Sequence, residues 1–375
     1  MQLIIGADLV PTKSNYELFN KGDVLSLLGE ELLLLWNEAE IRIFNLEVPL
    51  YDKKDPIDKC GPNLIAPTSA IKGIKALNPS LITLANNHIL DQGEQGLFST
   101  LQILKQNHIP FLGAGKDLSE ASKPYIINKE GIKIGIYACT EHEFSIATDE
   151  SAGANPFDSM ETLDHIQDLK DNCDYVIVLY HGGKEHYRYP SPYLQKVCRK
   201  MAQKGADLIL CQHSHCIGCY EEYEGSTIVY GQGNFLFDHS DSDYWQTSLL
   251  VKIDINNRFD IEYIPIVKVD NCVRLATNQR ATEILGDFYK RSSDILKKDF
   301  VEQQYLQFAK KNINSYLYKL SGFNKLLSGI DRKLLNGMII RKIFNKEKLL
   351  AIQNYIECEA HRELLLQGIK KELKS

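Results

Sequence analysis

The segment LITLANNHILDQG (residues 81–93) decides how the chain is read. Apolar residues run from Leu81 to Ala85 and stop at Asn86, Asn87 and His88, with Asp91 three residues on. A short apolar run that ends in amides, an imidazole and a carboxylate reads as a buried strand delivering polar groups to one spot. The shape recurs along the chain. LIIGAD ends at Asp8, IRIFNLE at Asn45 and Glu47, YVIVLYH at His181, ADLILCQHSH at His213 and His215, and STIVYGQGN at Asn234. In open α/β sheets ligands bind beyond the carboxyl ends of strands, so these ends are expected to share a rim. Alternation along a strand predicts that His213 and His215 point together, as do Asn45 and Glu47.

Helical patterns at 94–107, 161–170 and 191–204 separate many of the strands, which predicts a layered α/β core. SLLVKIDI and FDIEYIPIVKV have little helix between them and read as antiparallel additions. From about 279 the pattern becomes helical, so the expected division is 1–275 and 276–375. Charge divides in a similar place. Residues 281–375 hold 18 basic and 11 acidic residues (+7), leaving 25 basic and 38 acidic (−13) in the rest of a chain whose net charge is −6. The 375 residues are 44% hydrophobic and 25% charged, an ordinary globular composition. The longest apolar runs, such as LLLLW at 32–36, fall far short of the ~18 residues of a membrane span. MQLIIGADLV reads as a first strand rather than a signal peptide. Nine cysteines without framework spacing predict a reduced, cytoplasmic protein. An acidic chain without a nucleic-acid motif predicts no nucleic-acid partner.

The strand-end residues have the chemistry of a metal centre. Imidazole with carboxylate and amide oxygen suits borderline divalent ions and not soft thiolate or pure calcium sites. Asp8, Glu47, Asn87, His181, His213 and His215 are too many for one catalytic ion with an open position. Two ions roughly 3.5–4 Å apart, bridged by a carboxylate, would use them all. His88 is then free for proton transfer, with Asp91 to orient it. Each residue taken alone has a plainer role: Asp8 and the Asn-Asn-His run as turn or cap residues, His181 as a core histidine. Cys216 and Cys219 have the spacing of a zinc knuckle, but no second half lies nearby, and packing is the simpler role for Cys211, Cys216 and Cys219.

The motifs GADLVPT, IFNLEVPL, LITLANNHILDQGEQGL, LGAG, YVIVLYHGGKEHYRYPSP, KGADLILCQHSHCIGCYEEYEG and IVYGQGNFLFD cover residues 1 to about 270. In order and spacing they resemble the CapA family of bacterial capsule and poly-γ-glutamate synthesis proteins, a branch of the calcineurin-like metallophosphoesterase superfamily. The resemblance implies a four-layer α/β/β/α sandwich with a C-terminal helical extension outside it. It also implies a centre of two divalent ions (Mn, Fe or Zn) at one rim. Asp8 matches the first-strand ligand, Glu47 the bridging position, Asn87 and His88 the Asn-His pair, and His181, His213 and His215 the histidine ligands. Two positions depart from the wider superfamily: Val10 stands where many phosphoesterases carry histidine, and Glu47 replaces an aspartate.

These residues lead to three readings of function. The first is a metal-dependent phosphoesterase-like hydrolase. The second is an amide hydrolase acting on a γ-glutamyl polymer. The third is a non-catalytic accessory protein that binds a polymer or a capsule-synthesis partner. An anionic small molecule or polymer is the expected ligand, with Asn45, Lys184, Glu185, Arg188 and Asn234 as candidate contacts. The HGGKEHYRY run is equally a solvated loop. The glycines form no nucleotide fingerprint. The basic, roughly amphipathic stretch 332–350 would lie on an anionic membrane surface or, as the simpler expectation, pack within its own domain or a dimer.

Overall fold

A computed structural model describes residues 1–256 and 259–373. The chain forms two compact units, Met1–Glu302 and Gln303–Ser375. The change in sequence pattern near 276 marks the start of the helix Asn278–Asp294, whereas the units divide after Glu302.

The first unit is built on two large sheets. One has the order Cys272–Leu275, Phe259–Val269, Thr247–Ile255, Gln2–Val10, Ile41–Leu46, Leu81–Thr83, Phe111–Leu112, and Asn234–Phe237 also pairs with Gln2–Val10. The other runs Tyr220–Tyr223, Ser226–Val229, Leu208–Gln212, Tyr175–His181, Ile132–Thr140, Tyr125–Lys129. Strands at the centre of each sheet are parallel, and the antiparallel strands lie toward the edges, including the two anticipated late strands.

Side-chain alternation makes four layers from these two sheets. Leu3, Ile5, Ile43 and Leu81 meet Ile134, Ile136, Ile177, Leu179, Leu208 and Leu210 in one apolar cluster between the sheets. The intervening residues face outward. Ile4, Phe44 and Ile82 pack with Phe19, Trp36, Ile74 and Leu97 from one set of helices. Val176, Val178 and Ile209 pack with Ile166, Leu169, Val197 and Met201 from the helices Glu161–Asn172 and Pro192–Gln203. Strands covered on both faces must be apolar throughout, which is why the central ones lack a polar side. The result is the four-layer α/β/β/α sandwich. The helix Pro192–Gln203 shows how local sequence sets an element: Ser191 accepts a hydrogen bond from the Leu194 N–H, and Pro192 starts the first turn.

One expected strand is in fact two. STIVYGQGN does not run unbroken to Asn234: the strand ends at Val229, and Asn234 begins the next strand, in the other sheet beside Asp8. Glycine permits the crossing. Gly231 and Gly233 have φ of 135° and 82°, and a Cβ on Gly233 would lie 2.7 Å from Ser248 Cβ.

The second unit is helical. The helices Lys325–Leu334, Met338–Ile343, Lys346–Glu357 and Glu359–Glu372 follow the end of Phe300–Leu320. Buried Asp331 organises it: the carboxylate accepts from the Tyr318 hydroxyl at 2.9 Å and from the Ile339 and Ile340 N–H groups at 2.9 and 3.0 Å. The stretch 332–350 is therefore not one amphipathic helix. Gly337, at φ 75°, and the cap Asn345 break it into three pieces. Among the described residues no helix is long and apolar enough to cross a membrane.

Trp36 anchors the helical layer over the first sheet. It is fully buried, stacks on Phe235 at 4.8 Å between centroids, and donates its indole N–H to the Leu77 carbonyl at 2.8 Å. Trp36→Ala is expected to cost about 3–5 kcal/mol in urea unfolding, because it opens a cavity and leaves a buried carbonyl unpaired.

Candidate metal centre

The two sheets bring their parallel carboxyl ends together, and the polar groups there meet in a buried cluster. Asp8 is fully buried near the end of its strand. Its Oδ1 accepts from Asn45 Nδ2 at 2.8 Å and lies 3.6 Å from His181 Nδ1, and its Oδ2 is 3.7 Å from His215 Nδ1. Glu47 follows the second strand immediately and is also fully buried. His181 closes its strand on the opposite sheet, with Nε2 3.2 Å from Glu47 Oε1, 3.0 Å from Asn87 Oδ1 and 3.1 Å from His213 Nδ1.

His213 and His215 converge, but not by strand alternation. Their strand ends at Gln212, and both lie beyond it in left-handed backbone, at φ 74° and 51°. Such a conformation costs a non-glycine residue on the order of 1–3 kcal/mol and persists where the surroundings impose it. The turn brings both imidazoles within reach of Glu47, their ring centroids 6.0 Å apart.

The residues fit a cation. Among the described residues, neither oxygen of the buried Glu47 carboxylate has a hydrogen-bond donor. A buried carboxylate without donors is costly unless positive charge balances it. Two groups have ligand atoms mutually within 4.8 Å: Glu47 with His181 and His213, and Asp8 with Glu47 and His215. Glu47 belongs to both. The field has the corresponding sign. Burial by itself lowers the His181 imidazole, but Glu47 and Asp8 outweigh it and push the group up to about 10. Burial raises Asp8, yet His181 and His215 bring it below the ordinary carboxylate value. His213, which faces no carboxylate so closely, is driven well down by burial and by His181. Val10 offers no ligand and packs in the apolar cluster that holds Phe237 and Trp245.

His88 stands beside this cluster with its Nδ1 2.5 Å from Asp91 Oδ2. Asp91 also accepts from the Leu64 N–H at 2.5 Å and is ion-paired to Lys59, whose side chain is only 2% exposed. Lys59 is absent from the sequence-derived set. It comes from the loop between Tyr51 and Ala66, and nothing in DPIDKCGPN marks one lysine among its neighbours as buried. Trp245 was missed as well: it stacks on His215 at 4.6 Å and donates its indole N–H to His186 Nε2 at 2.9 Å.

The other candidates fall into two groups. Asn45 and Asn234 lie within the cluster. Asn45 is fully buried and is already bonded to Asp8, Asn86 and Thr83, so it holds the cluster together rather than facing outward. Asn234 Oδ1 is 2.8 Å from His215 Nδ1. Lys184 and Glu185 lie outside, exposed, with 3.4 Å between their charged atoms. Arg188 donates to the Ile217 carbonyl at 2.9 Å. Cys211, Cys216 and Cys219 are buried thiols. Cys211 Sγ is 3.6 Å from Cys198 Sγ, and among the described residues none joins a metal-type cluster.

Two stacked sheets with helices outside and a histidine–carboxylate cluster at the strand ends define a metallophosphoesterase-like protein. The family follows from the sequence comparison: the model of the bacterial capsule synthesis protein PGA_cap matches residues 4–239, and the chain belongs to that family. The capsule biosynthesis protein CapA of Bacillus anthracis is 30% identical over 203 residues, which cover 52% of this chain and 49% of that protein. The PGA biosynthesis protein CapA of Bacillus subtilis (strain 168) is also 30% identical over 203 residues, covering 52% and 53%. The chain thus spans about half the length of the curated relatives it matches. Among solved structures, a novel phosphatase from Mycoplasma pneumoniae aligns with 72% of this chain and 94% of that one, at 15% identity and a TM-score of 0.43.

Two expectations follow. Adding Mn, Fe or Zn to chelator-treated protein raises its unfolding temperature, by about 2.7 kcal/mol of stability at one hundred times the dissociation constant. Glu47→Gln abolishes that rise, as scanning calorimetry would show. Lys59→Met leaves the buried Asp91 carboxyl without its ion-pair partner, at a cost of about 3–5 kcal/mol in urea unfolding. Part of that loss returns in the Lys59→Met/Asp91→Asn double variant.

Proposed function

We propose that the chain is a metal-dependent hydrolase acting on a phosphoester, with Glu47 shared between two divalent ions, in the service of anionic polymer or capsule biosynthesis. The observation that carries this is Glu47 itself: a buried carboxylate with no hydrogen bond, within reach of two histidine sets. Bound divalent ions would activate water at neutral pH and neutralise charge on phosphoryl oxygens. Asp8, Glu47, Asn87, His181, His213 and His215 would hold them. Asn45 fixes the Asp8 carboxylate, and Asn234 orients His215. His88 serves as the proton donor to the leaving oxygen. Asp91 engages its Nδ1, which leaves Nε2 to carry the transferred proton. Lys59 and the Leu64 N–H hold the Asp91 carboxylate in place. The link to polymer synthesis rests on the family and on the names of the Bacillus relatives.

A second reading draws on Val10, which supplies no ligand where a histidine would. With one donor fewer, the cluster would keep a metal for structure, and the protein would bind a polymer or synthase partner without turnover. The same centre acting on a γ-glutamyl amide is the third form.

Elemental analysis beside turnover assays on phosphodiesters and poly-γ-glutamate separates the three. The phosphoesterase reading expects about two equivalents of metal, phosphodiester turnover, and a loss of about 100- to 10,000-fold in kcat for His88→Ala with metal content unchanged. Full activity in His88→Ala removes His88 from its role. Polymer cleavage without phosphodiester cleavage selects the amide form. Polymer binding with no turnover under any added metal selects the accessory form.

A further inference from the structure

Among the described residues, two arginines that bond to the turn after His215 form no ion pair. Arg188 lies on the loop that follows His181. Its Nη1 donates to the Ile217 carbonyl at 2.9 Å, and its guanidinium rests over the Tyr244 ring, 4.9 Å from the centroid. Arg291 comes from the helix Asn278–Asp294, and its Nε donates to the Gly218 carbonyl at 2.8 Å. The two side chains are thus tied to consecutive carbonyls of the turn that leaves His215. Among the described residues neither forms an ion pair. Asp287, on the same helix as Arg291, acts on it only from beyond ion-pair distance.

Holding two guanidinium groups near one another is electrostatically unfavourable. Arg291 is half-buried, and burial together with the positive charge of Arg188 lowers it from its ordinary value. Like charges held close are unfavourable unless an anion lies between or beside them. Each guanidinium has five N–H donors in a planar fork suited to carboxylate or phosphate, and the carbonyl bond uses one. The carbonyl anchors also hold both forks in place before any ligand arrives, so little is lost on binding.

A chain of ring contacts and one hydrogen bond links Arg188 to His215. His215 stacks on Trp245, Trp245 donates to His186, and His186 stacks on Tyr244, which lies under Arg188. These contacts connect His215 to Arg188, whose charge acts on Arg291. We propose that Arg188 and Arg291 form an anion subsite that takes a second carboxylate or phosphate of a polyanionic substrate whose reacting group sits at the metal centre. The proposal rests on the metal-centre reading and adds the substrate class: a chain bearing repeated negative charges, not a simple monoester.

The test is isothermal calorimetry on the full, metal-loaded chain with three probes: inorganic phosphate, a short γ-linked glutamate oligomer and a short polyphosphate. At least one oligomer is expected to bind more tightly than inorganic phosphate, and the one that does names the repeating anion. Arg291→Gln should weaken that oligomer about tenfold or more, the scale of one charge-assisted hydrogen bond, while inorganic phosphate affinity and metal content stay unchanged. A measurement on the unaltered protein guards against variants that misfold. Phenylglyoxal labelling of Arg188 and Arg291, followed by peptide mass spectrometry, should be slowed by the oligomer and not by inorganic phosphate. The subsite is overturned if neither oligomer binds more tightly than phosphate, if Arg291→Gln leaves oligomer affinity within twofold, or if the oligomer gives no protection. The metal reading fails separately: a chain that takes up no metal yet binds the oligomer through the two arginines keeps the subsite and loses the centre.

Discussion

Two carboxylates, Asp8 and Glu47, are held out of water at the seam between the sheets, and the architecture around them answers that constraint. Buried carboxylates need positive charge or hydrogen-bond donors. Asp8 receives both, from Asn45, the His213 N–H, His181 and His215. Among the described residues, the Glu47 carboxylate receives no hydrogen bond and has only His181 at ion-pair distance. The acid on one sheet and the histidines on the other meet only if the sheets stack with their parallel carboxyl ends at the same rim. The apolar cluster between Leu3, Ile5 and Ile43 on one side and Ile177, Leu179 and Leu210 on the other enforces that stacking. Packing energy from the core is what holds the polar cluster against its own electrostatic cost.

Around the cluster, positioning falls to residues that never touch its centre. Lys59 holds Asp91, Asp91 holds His88, and Trp245 flanks His215. Lys59 arrives from a loop and Trp245 from the segment before the strand Thr247–Ile255, so the rim is closed by pieces distant in sequence. Arg188 and Arg291 bond to neighbouring carbonyls of the turn after His215 and, among the described residues, form no ion pair. The acidic cluster attracts cations, and the two arginines attract anions.

The central strands were legible in the chain because burial on both faces leaves an apolar signature that ends at the first polar residue. The helices 93–106, 161–172 and 192–203 were legible because their apolar spacing and, in the last, its Ser-Pro start are local signals. The crossing after Val229 was not, since two glycines inside STIVYGQGN read as part of one strand until Asn234 is seen paired beside Asp8. His213 and His215 lie beyond their strand, where a left-handed turn, not strand alternation, sets their positions. Likewise 332–350 has amphipathic spacing, yet Gly337 and the Asp331 carboxylate fold it into separate helices.

The sequence alone determined the layered α/β class and which residue types end the core strands, because hydrophobic periodicity and strand-end chemistry are written locally. Tertiary structure decided that Glu47 is left without a hydrogen bond between two histidine sets, that Lys59 is buried against Asp91, and that Arg188 and Arg291 share one turn. Those facts depend on contacts between segments tens to hundreds of residues apart, and no local pattern encodes which long-range partners a charged side chain meets or fails to meet.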